Sequence, residues 1–169
     1  LILTPHHNHS DLVIKALNKG KAVYVEKPLA LDMQSITDIE ESIYRSENPK
    51  LFIGFNRRFS KSAQFIKQKL INNPANSINL RFSVPPLDSD HWTNIKEIGG
   101  GRIVGEAVHG IDLACFLFDS LPQSISASAP VDKTNNMVKD NQVFLNINFA
   151  NGSHASLQYF SEANQILSK

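Results

Sequence analysis

The sequence lacks several features that would assign it to a particular class of protein. It has one cysteine, Cys115, in 169 residues, which excludes a disulfide framework and favours a reducing, cytoplasmic setting. Its net charge is +1 and its basic residues are scattered, so we expect no nucleic-acid partner. No apolar run is long enough for a transmembrane helix and no signal-peptide pattern is present, so we expect no membrane association.

Two ligand-binding signatures are also missing. The glycines Gly99–Gly101 and Gly105 do not form G-x-G-x-x-G, and no predicted strand leads directly into them. These residues therefore do not supply the pyrophosphate-binding loop of a dinucleotide fold. The histidine-rich segment His6–His9 has no cysteine or paired carboxylate at ligand spacing. We predict no metal site there and interpret the segment as loop polarity or as a contact to ribose or phosphate.

The first part of the chain alternates strand and helix patterns. Leu1–Leu3, Ala22–Glu26 and Leu51–Phe55 are apolar runs typical of buried strands, with a helical pattern between each pair. The second of these helical stripes consists of Met33, Ile36, Ile39 and Ile43. Short connections in this order predict a parallel sheet with right-handed crossovers. Because the chain begins inside the first apolar run without a methionine, we expect a piece of a longer protein.

Polar clusters follow each of the three predicted strands. These are Thr4–His6, Glu26–Pro28 and Asn56–Arg58. Carboxyl ends of parallel strands share one edge of a sheet, where ligands bind in open α/β folds, so we expect the clusters to converge. Lys27 has two interpretations: a surface lysine that closes a strand, or a partly desolvated amine that exchanges protons near neutral pH.

The second part of the chain predicts an α+β arrangement. Helical patterns cover Ser60–Ile71, with Phe65, Ile66, Lys69 and Leu70 as the apolar side, and about Ile103–Phe118. Strand patterns cover Ser77–Val84, Ser124–Ala129, Val143–Phe149 and His154–Phe160. Asn151–Gly152 between the last two is a hairpin signal, so we expect a mainly antiparallel open sheet.

The predicted helix near residue 109 carries further candidate functional groups. His109 is either a half-buried helix histidine or a catalytic base, and Glu106 and Asp112 lie three residues to either side. At that spacing a carboxylate can orient an imidazole, although both acids are equally compatible with solvated helix charges. Trp92, in an irregular segment, either lines a pocket or packs in the core. Cys115 is interpreted as a core residue.

These motifs in this order resemble the Gfo/Idh/MocA family of NAD(P)-dependent oxidoreductases. The resemblance is carried by Thr4–Pro5 with His9, Glu26–Lys27–Pro28, Gly54–Phe59, and Gly99–Gly101 through His109 to Asp112. It implies an α/β fold: the C-terminal half of a Rossmann-type parallel sheet at residues 1–59, followed at 60–169 by an incomplete substrate and oligomerisation domain with an open sheet. It also implies a homo-oligomer formed through that sheet.

The resemblance also implies roles for individual residues. The predicted cofactor-binding positions are Thr4, Pro5, His9, Glu26, Lys27, Pro28 and Arg57. Lys27 and His109 match the catalytic positions, with Arg57, Glu106, Asp112 and Trp92 as substrate-contacting or orienting candidates. One position departs from the family pattern, because many members have an aspartate where this chain has Gly105, with Glu106 beside it.

The implied activity is hydride transfer between NAD or NADP and a hydroxyl or keto group of a sugar, cyclitol or nucleotide sugar. His109 would take the hydroxyl proton while Lys27 stabilises the oxyanion, or the two would exchange roles. The alternative is a non-catalytic sensor or structural relative, which the missing aspartate favours and the intact Glu26–Pro28 motif opposes. The sequence does not distinguish NAD from NADP, because no residue present reads the ribose 2′ position.

Overall fold

The computed structural model describes residues 1–72, 74, 76–88, 90–131 and 141–162. Its backbone forms two compact units. Unit 1 comprises Leu1–Phe55 with Asp90–Gly105, and unit 2 comprises Asn56–Ser89 with Glu106–Lys169. The functional assignment of residues 1–59 and 60–169 to cofactor and substrate stays a prediction.

The described elements run in chain order as follows. The helices are α1 (His9–Leu17), α2 (Met33–Arg45), α3 (Lys61–Asn72), α4 (Lys96–Gly99) and α5 (Val108–Phe118). The strands are β1 (Val23–Val25), β2 (Leu51–Ile53), β3 (Ser77–Ser83), β4 (Pro122–Ser128), β5 (Gln142–Phe149) and β6 (His154–Phe160). Three 3₁₀ turns cover His6–Asn8, Asn56–Phe59 and Trp92–Asn94, and a π-helical turn covers Ile103–Ala107 directly before α5.

Unit 1 contains the predicted parallel sheet. β1 pairs in parallel with β2, and Ile2 forms a parallel bridge with Val25 on the other side of β1. The strand predicted at Leu51–Phe55 ends at Ile53, and its central residue Phe52 is 48% exposed. The expectation of a fully buried third strand was therefore wrong, because Phe52 lies beside Tyr24 on the sheet face opposite to the core residues Val23 and Val25.

The core of unit 1 lies between its sheet and the apolar sides of α1 and α2. Its fully buried members are Ile2, Val13, Leu17, Val23, Val25 and Ile39. The spacing of Val13 and Leu17 brings both onto one face of α1, as helical periodicity requires. Met33, predicted to belong to the apolar stripe of α2, is 76% exposed, since it occupies the first turn of the helix.

Unit 2 contains a four-stranded mixed sheet in the order β3-β6-β5-β4. β5 is antiparallel to both neighbours, as predicted, whereas β3 pairs with β6 in parallel. Leu145, Ile147 and Phe149 are buried on one face, which confirms the alternation found in the sequence. Gly152 has φ +82° in the turn between β5 and β6, where glycine adopts the left-handed conformation without strain.

Two helices of unit 2 contribute to the same core. α5 buries Ala114, Leu117 and Phe118 and packs on β3, β6 and α3. The predicted apolar side of α3 was wrong, because Phe65 and Ile66 are 59% and 46% exposed. The residue of α3 that is buried is Ala63, whose small side chain allows α3 to lie close to its neighbours.

Candidate active site

The carboxyl end of β1 presents the Glu26–Pro28 motif at one edge of the unit 1 sheet. The backbone N–H of Glu26 donates to the carbonyl of Ile2 at 3.0 Å, so the motif leaves the sheet beside the neighbouring strand segment. The Lys27–Pro28 peptide bond is cis. Thr4 and Pro5 are exposed where the segment containing Ile2 ends. The structure therefore brings two of the three predicted polar clusters to the same edge.

Lys27 is held by a main-chain carbonyl. Its Nζ donates a 2.7 Å hydrogen bond to the oxygen of Gly105, and the lysine is only partly exposed. Gly105 lies within the π-helical turn, a geometry that interrupts the regular α-helical hydrogen-bond pattern and is frequent at functional sites. A Cβ at position 105 would lie 3.3 Å from the ring of His6, closer than most side-chain contacts. The residue that departs from the family pattern thus contacts the candidate catalytic lysine through its backbone.

The sequence analysis named His6 only as part of the Thr4–His6 cluster and of the His6–His9 segment, and the structure places it next to this contact. It is 7% exposed, and its Nδ1 lies 2.7 Å from the carbonyl oxygen of Gly99. Trp92 packs edge-on against its ring at 4.7 Å between centroids and is 36% exposed. Trp92 therefore contributes to the wall around His6. The position of His6 three residues after the predicted strand Leu1–Leu3 was the available signal.

His9 is fully buried, and both of its ring nitrogens face carbonyl oxygens. Nδ1 lies 2.7 Å from the oxygen of Pro28 and Nε2 lies 2.9 Å from the oxygen of Thr4. These carbonyls belong to the two polar clusters at the sheet edge. Contact of the cofactor with His9 itself stays a prediction; its described hydrogen bonds are made to the protein backbone.

Glu26 interacts with the strand that precedes it. The hydroxyl of Tyr24 donates to Oε1 of Glu26 at 3.1 Å, and this hydrogen bond raises the pKa of Tyr24. Gly54 leaves room for the pair, since a Cβ there would lie 2.8 Å from the Tyr24 hydroxyl and 2.9 Å from Glu26 Oε1. The glycine at position 54 is thus explained by the close approach of these two side chains.

In unit 2, His109 and Asp112 both lie on α5 and are both buried, at 6% and 8% exposure. The carboxylate of Asp112 accepts hydrogen bonds from Nε of Arg58 at 3.0 Å and from the Nη2 nitrogen of the same guanidinium. Asp112 is therefore not a solvated helix charge. Arg58, which the sequence analysis passed over, is its partner, whereas the guanidinium of Arg57 lies 4.7 Å from the ring centroid of Phe82.

The remaining candidates are placed as follows. Glu106 lies in the π-helical turn and is partly exposed. Cys115, interpreted from the sequence as a core residue, is half-buried, and burial followed by the charge of Asp112 raises the pKa of its thiol. Lys27 belongs to unit 1 and His109 to unit 2, and their joint action stays a prediction.

Two features are absent from the part of the chain that the structure describes. Across residues 1–72, 74, 76–88, 90–131 and 141–162, no group of three or more His, Cys, Asp or Glu is positioned to hold a metal ion. Within the same part of the chain, no helix combines the length and the apolar character needed to cross a membrane.

Two family models match the chain. Residues 1–55 match the oxidoreductase family with an NAD-binding Rossmann fold. Residues 71–165 match the C-terminal domain of the Gfo/Idh/MocA proteins. The two matched segments include residues of both units and all of the candidate residues except Arg57.

Individual proteins show the same relationship. Inositol 2-dehydrogenase of Rhizobium meliloti is 29% identical over 137 residues, which are 78% of this chain and 39% of that protein. The aldose-aldose oxidoreductase of Caulobacter crescentus has a TM-score of 0.82 at 20% identity over 96% of this chain and 50% of its own. An NAD-binding protein from Listeria innocua has a TM-score of 0.78 at 27% identity over 97% and 48%. The chain thus spans about half, or less, of these relatives.

Proposed function

Since the chain belongs to the Gfo/Idh/MocA family of NAD-binding oxidoreductases, we propose that the complete protein is a dehydrogenase. Its substrate is the ring carbinol of a cyclitol, sugar or nucleotide sugar, which it oxidises with NAD or NADP. The reverse reduction uses the same groups. The observation that carries the proposal is the Lys27 amine at the carboxyl end of β1, held on the oxygen of Gly105.

The chemistry of Lys27 fits this role. An ammonium group has three N–H donors, so the hydrogen bond of Lys27 to Gly105 is compatible with donation to a substrate oxygen. As the carbinol loses its hydride, negative charge develops on that oxygen, and a positioned ammonium stabilises the charge more in the transition state than in the ground state. A lysine fixed at a sheet edge is therefore suited to the step.

His109 supplies the second group in the proposal. A neutral imidazole accepts the hydroxyl proton as the carbon–hydrogen bond breaks, and the imidazolium returns it in the reverse direction. Its assignment comes from the match to the family's catalytic histidine. Lys27 and His109 can exchange these two roles without altering the balance of the reaction.

A nicotinamide cofactor fits the residues at the edge of unit 1, because Thr4 and Pro5 are exposed there on the segment that pairs with the one leading to Lys27. When bound, it accepts or supplies the hydride. We assign contacts on the nicotinamide side to Thr4, Pro5, Glu26, Lys27 and Pro28. His9 and Arg57 belong to the same set of predicted contacts.

The substrate class rests on the relatives. An inositol 2-dehydrogenase matches 78% of the chain, and a cyclitol and a pyranose both present a secondary hydroxyl on a six-membered ring. Arg57, Glu106, Asp112 and Trp92 are the candidates for contact with that ring. Asp112 would influence the ring by way of Arg58, because both of its carboxylate oxygens accept hydrogen bonds from that guanidinium.

The experiment that tests the proposal measures NAD(P)H formation by the complete protein with cyclitols and sugars, beginning with myo-inositol. We expect Lys27→Met and His109→Ala each to lower kcat by about 10²- to 10⁴-fold, the usual contribution of a positioned acid or base. Lys15→Met, at an exposed position on α1, is the matched control and should leave kcat unchanged. Unaltered turnover in both active-site variants would contradict the mechanism.

The alternative function is that of a non-catalytic relative that retains the fold. It predicts binding of NADH, measured by calorimetry, with no substrate-dependent reduction of NAD or NADP by the complete protein. The anchored Lys27 argues for catalysis. The same assay therefore separates the two functions.

We also propose that the open sheet of unit 2 mediates self-association. Along β4 the side chains are largely exposed. On the sheet face opposite to Leu145 and Ile147, Phe144 is 37% exposed and its ring centroid lies 5.3 Å from that of Phe160. Apolar groups on an exposed sheet face favour burial against a second copy. Sedimentation of the complete protein should show an oligomer that Phe144→Lys weakens, whereas a monomeric wild-type protein would contradict this assignment.

A further inference from the structure

We propose that His9 is a positioning residue for Lys27. It acts by holding the carbonyl oxygen of Pro28, the residue that follows the lysine. The inference rests on the proposed catalytic role of Lys27. It assigns His9 a function through the backbone, in addition to any contact with the cofactor.

The geometry around His9 supports this assignment. The imidazole is 0% exposed, and its two nitrogens lie 2.7 Å from the oxygen of Pro28 and 2.9 Å from the oxygen of Thr4. Thr4 follows the segment containing Ile2, and Pro28 follows β1; these two segments are joined by the bridge between Ile2 and Val25. The ring therefore spans the two chain segments where they leave the sheet.

The effect on Lys27 follows from two hydrogen bonds, one next to its backbone and one at its amine. Its backbone lies one residue from the carbonyl held by His9, and its Nζ is bound to Gly105 at 2.7 Å. Displacement of the Pro28 carbonyl would shift the base of the lysine side chain. A catalytic group displaced by about 1 Å can lose about 10²-fold in rate. The carbonyl held by His9 is thus linked covalently to the amine through the backbone of Pro28 and the side chain of Lys27.

Only one of the two hydrogen bonds of His9 reaches the residue adjacent to Lys27. Carbonyl oxygens only accept, so each bond needs an N–H on the facing ring nitrogen, and a neutral ring has one N–H to donate. The bond from Nδ1 reaches the residue adjacent to Lys27, whereas the bond from Nε2 reaches the other segment. The positioning role therefore requires a proton on Nδ1.

Two substitutions separate the two bonds. His9→Asn retains an amide N–H close to the place of Nδ1 and loses the donor at Nε2, while His9→Gln does the reverse. Glutamine is closer to histidine in volume, so a purely structural role predicts that His9→Gln is the milder change. Positioning through Pro28 predicts the opposite order.

The test uses the complete protein with myo-inositol and NAD as probes, and measures kcat together with the rate at which trinitrobenzenesulfonate modifies Lys27 in the absence of cofactor. Both His9 variants alter a predicted cofactor contact, so the test rests on their order: kcat should fall less, and Lys27 labelling should rise less, in His9→Asn than in His9→Gln. In His9→Gln, kcat should fall by about tenfold or more, and Lys27 should be labelled several-fold faster. Equal effects, or a milder His9→Gln, would overturn the assignment.

Two controls keep the outcomes distinct. Ser42→Ala removes another buried hydrogen-bonding side chain of unit 1, one that bonds to Asn18 at 2.8 Å, and should lower stability without changing kcat or Lys27 labelling. Lys27→Met tests the parent proposal: if it leaves kcat unchanged, the catalytic role fails, while the labelling order in the His9 variants still decides the positioning role.

A measurement on the unmodified protein applies even if a His9 variant fails to fold. Long-range ¹H–¹⁵N spectra of the imidazole distinguish a protonated from an unprotonated ring nitrogen. We expect His9 Nδ1 to carry a proton that exchanges slowly with solvent, because the ring is fully buried. An unprotonated Nδ1 cannot donate to Pro28 and would refute the proposal.

Discussion

At the scale of single residues, Arg58 is the partner on which the buried charge of α5 depends. The side chain of Asp112 is 7% exposed, whereas the side chain of Arg58 is 34% exposed. The guanidinium therefore retains access to water that the carboxylate lacks. Removing either partner breaks the same ion pair but leaves different groups behind.

This asymmetry makes a prediction about stability. Arg58→Met leaves a carboxylate buried without its counter-charge, and should lower the free energy of unfolding by about 3 kcal/mol. Asp112→Asn leaves a guanidinium that can turn towards solvent and should cost about 1 kcal/mol. Urea unfolding of the complete protein measures both, with Arg57→Met as the neighbouring control. A larger cost for Asp112→Asn would show that the pair is not organised by burial of the carboxylate.

Some residues of the site could be predicted from the sequence, and others could not. Lys27 was predicted because its neighbours Glu26 and Pro28 form a motif at the end of an apolar run. Its anchor was not, because the carbonyl of Gly105 carries no side-chain signal and lies 78 residues away in the chain. Arg57 and Arg58 are adjacent and chemically identical, so only coordinates show which of them pairs with Asp112.

At the scale of elements, α5 lies against the sheet of unit 2 at Gly110. A Cβ at this position would lie 1.9 Å from Cδ1 of Leu157 and 2.8 Å from the ring of Phe82. Leu157 is fully buried and cannot move aside into solvent. The glycine therefore allows the close approach of the helix that carries His109.

We predict that Gly110→Ala is destabilising despite the higher helix propensity of alanine. Overpacking in a dense core costs about 1–3 kcal/mol, and the propensity gain offsets about 1 kcal/mol of it. A Leu157→Ala background removes the 1.9 Å contact and leaves the 2.8 Å contact with Phe82, so the same substitution should cost clearly less there. Thermal unfolding of the four proteins of this double-mutant cycle decides the point; an unchanged cost in both backgrounds would contradict it.

The start of α2 makes a prediction about pH. The carboxylate of Asp32 accepts hydrogen bonds from the backbone N–H and hydroxyl of Ser35, both at lengths under 3 Å, and the backbone hydrogen bond is the main cause of its lowered pKa. A folded-state pKa below the unfolded value gives stability that is present above about pH 4 and lost as the pH falls through the folded value.

Asp32→Ala should therefore lower the unfolding midpoint at pH 7, and the difference from wild type should shrink towards pH 2. Asp32→Asn, which keeps an oxygen acceptor but cannot ionise, should retain part of the stability at pH 7 without this acid dependence. Chemical denaturation at several pH values measures both. A difference between wild type and Asp32→Ala that is constant from pH 7 to pH 2 would rule out the carboxylate cap as its cause.

Element types followed from periodicity, but burial did not always do so. The parallel pairing of β1 and β2 was predicted from the alternation of strand and helix patterns with short connections. The hairpin of β5 and β6 was predicted from the turn signal Asn151–Gly152. The exposed side of α3 was missed because Phe65 and Ile66 are apolar, and hydrophobicity alone does not show which neighbours a helix has. The π-helical turn before α5 also carries no periodic signal, although it contains the anchor of Lys27.

At the scale of the whole molecule, the two units carry different parts of the proposed reaction. Unit 1 holds Lys27 on Gly105 and contains the residues matched to the NAD-binding Rossmann fold. Unit 2 contains His109 on α5 and the open sheet. The chain spans 39% of the inositol dehydrogenase relative, so activity belongs to measurements on the complete protein.

The most direct test of the central claim follows deuterium from substrate to cofactor. The complete protein is incubated with NAD and myo-inositol deuterated at the ring carbinol carbons, and the reduced cofactor is analysed by mass spectrometry. The account predicts NADH that carries one deuterium, at a rate that Lys27→Met lowers by at least about 10²-fold. Transfer at an undiminished rate in Lys27→Met, or no transfer to NAD or NADP from any cyclitol or sugar tested, would contradict it.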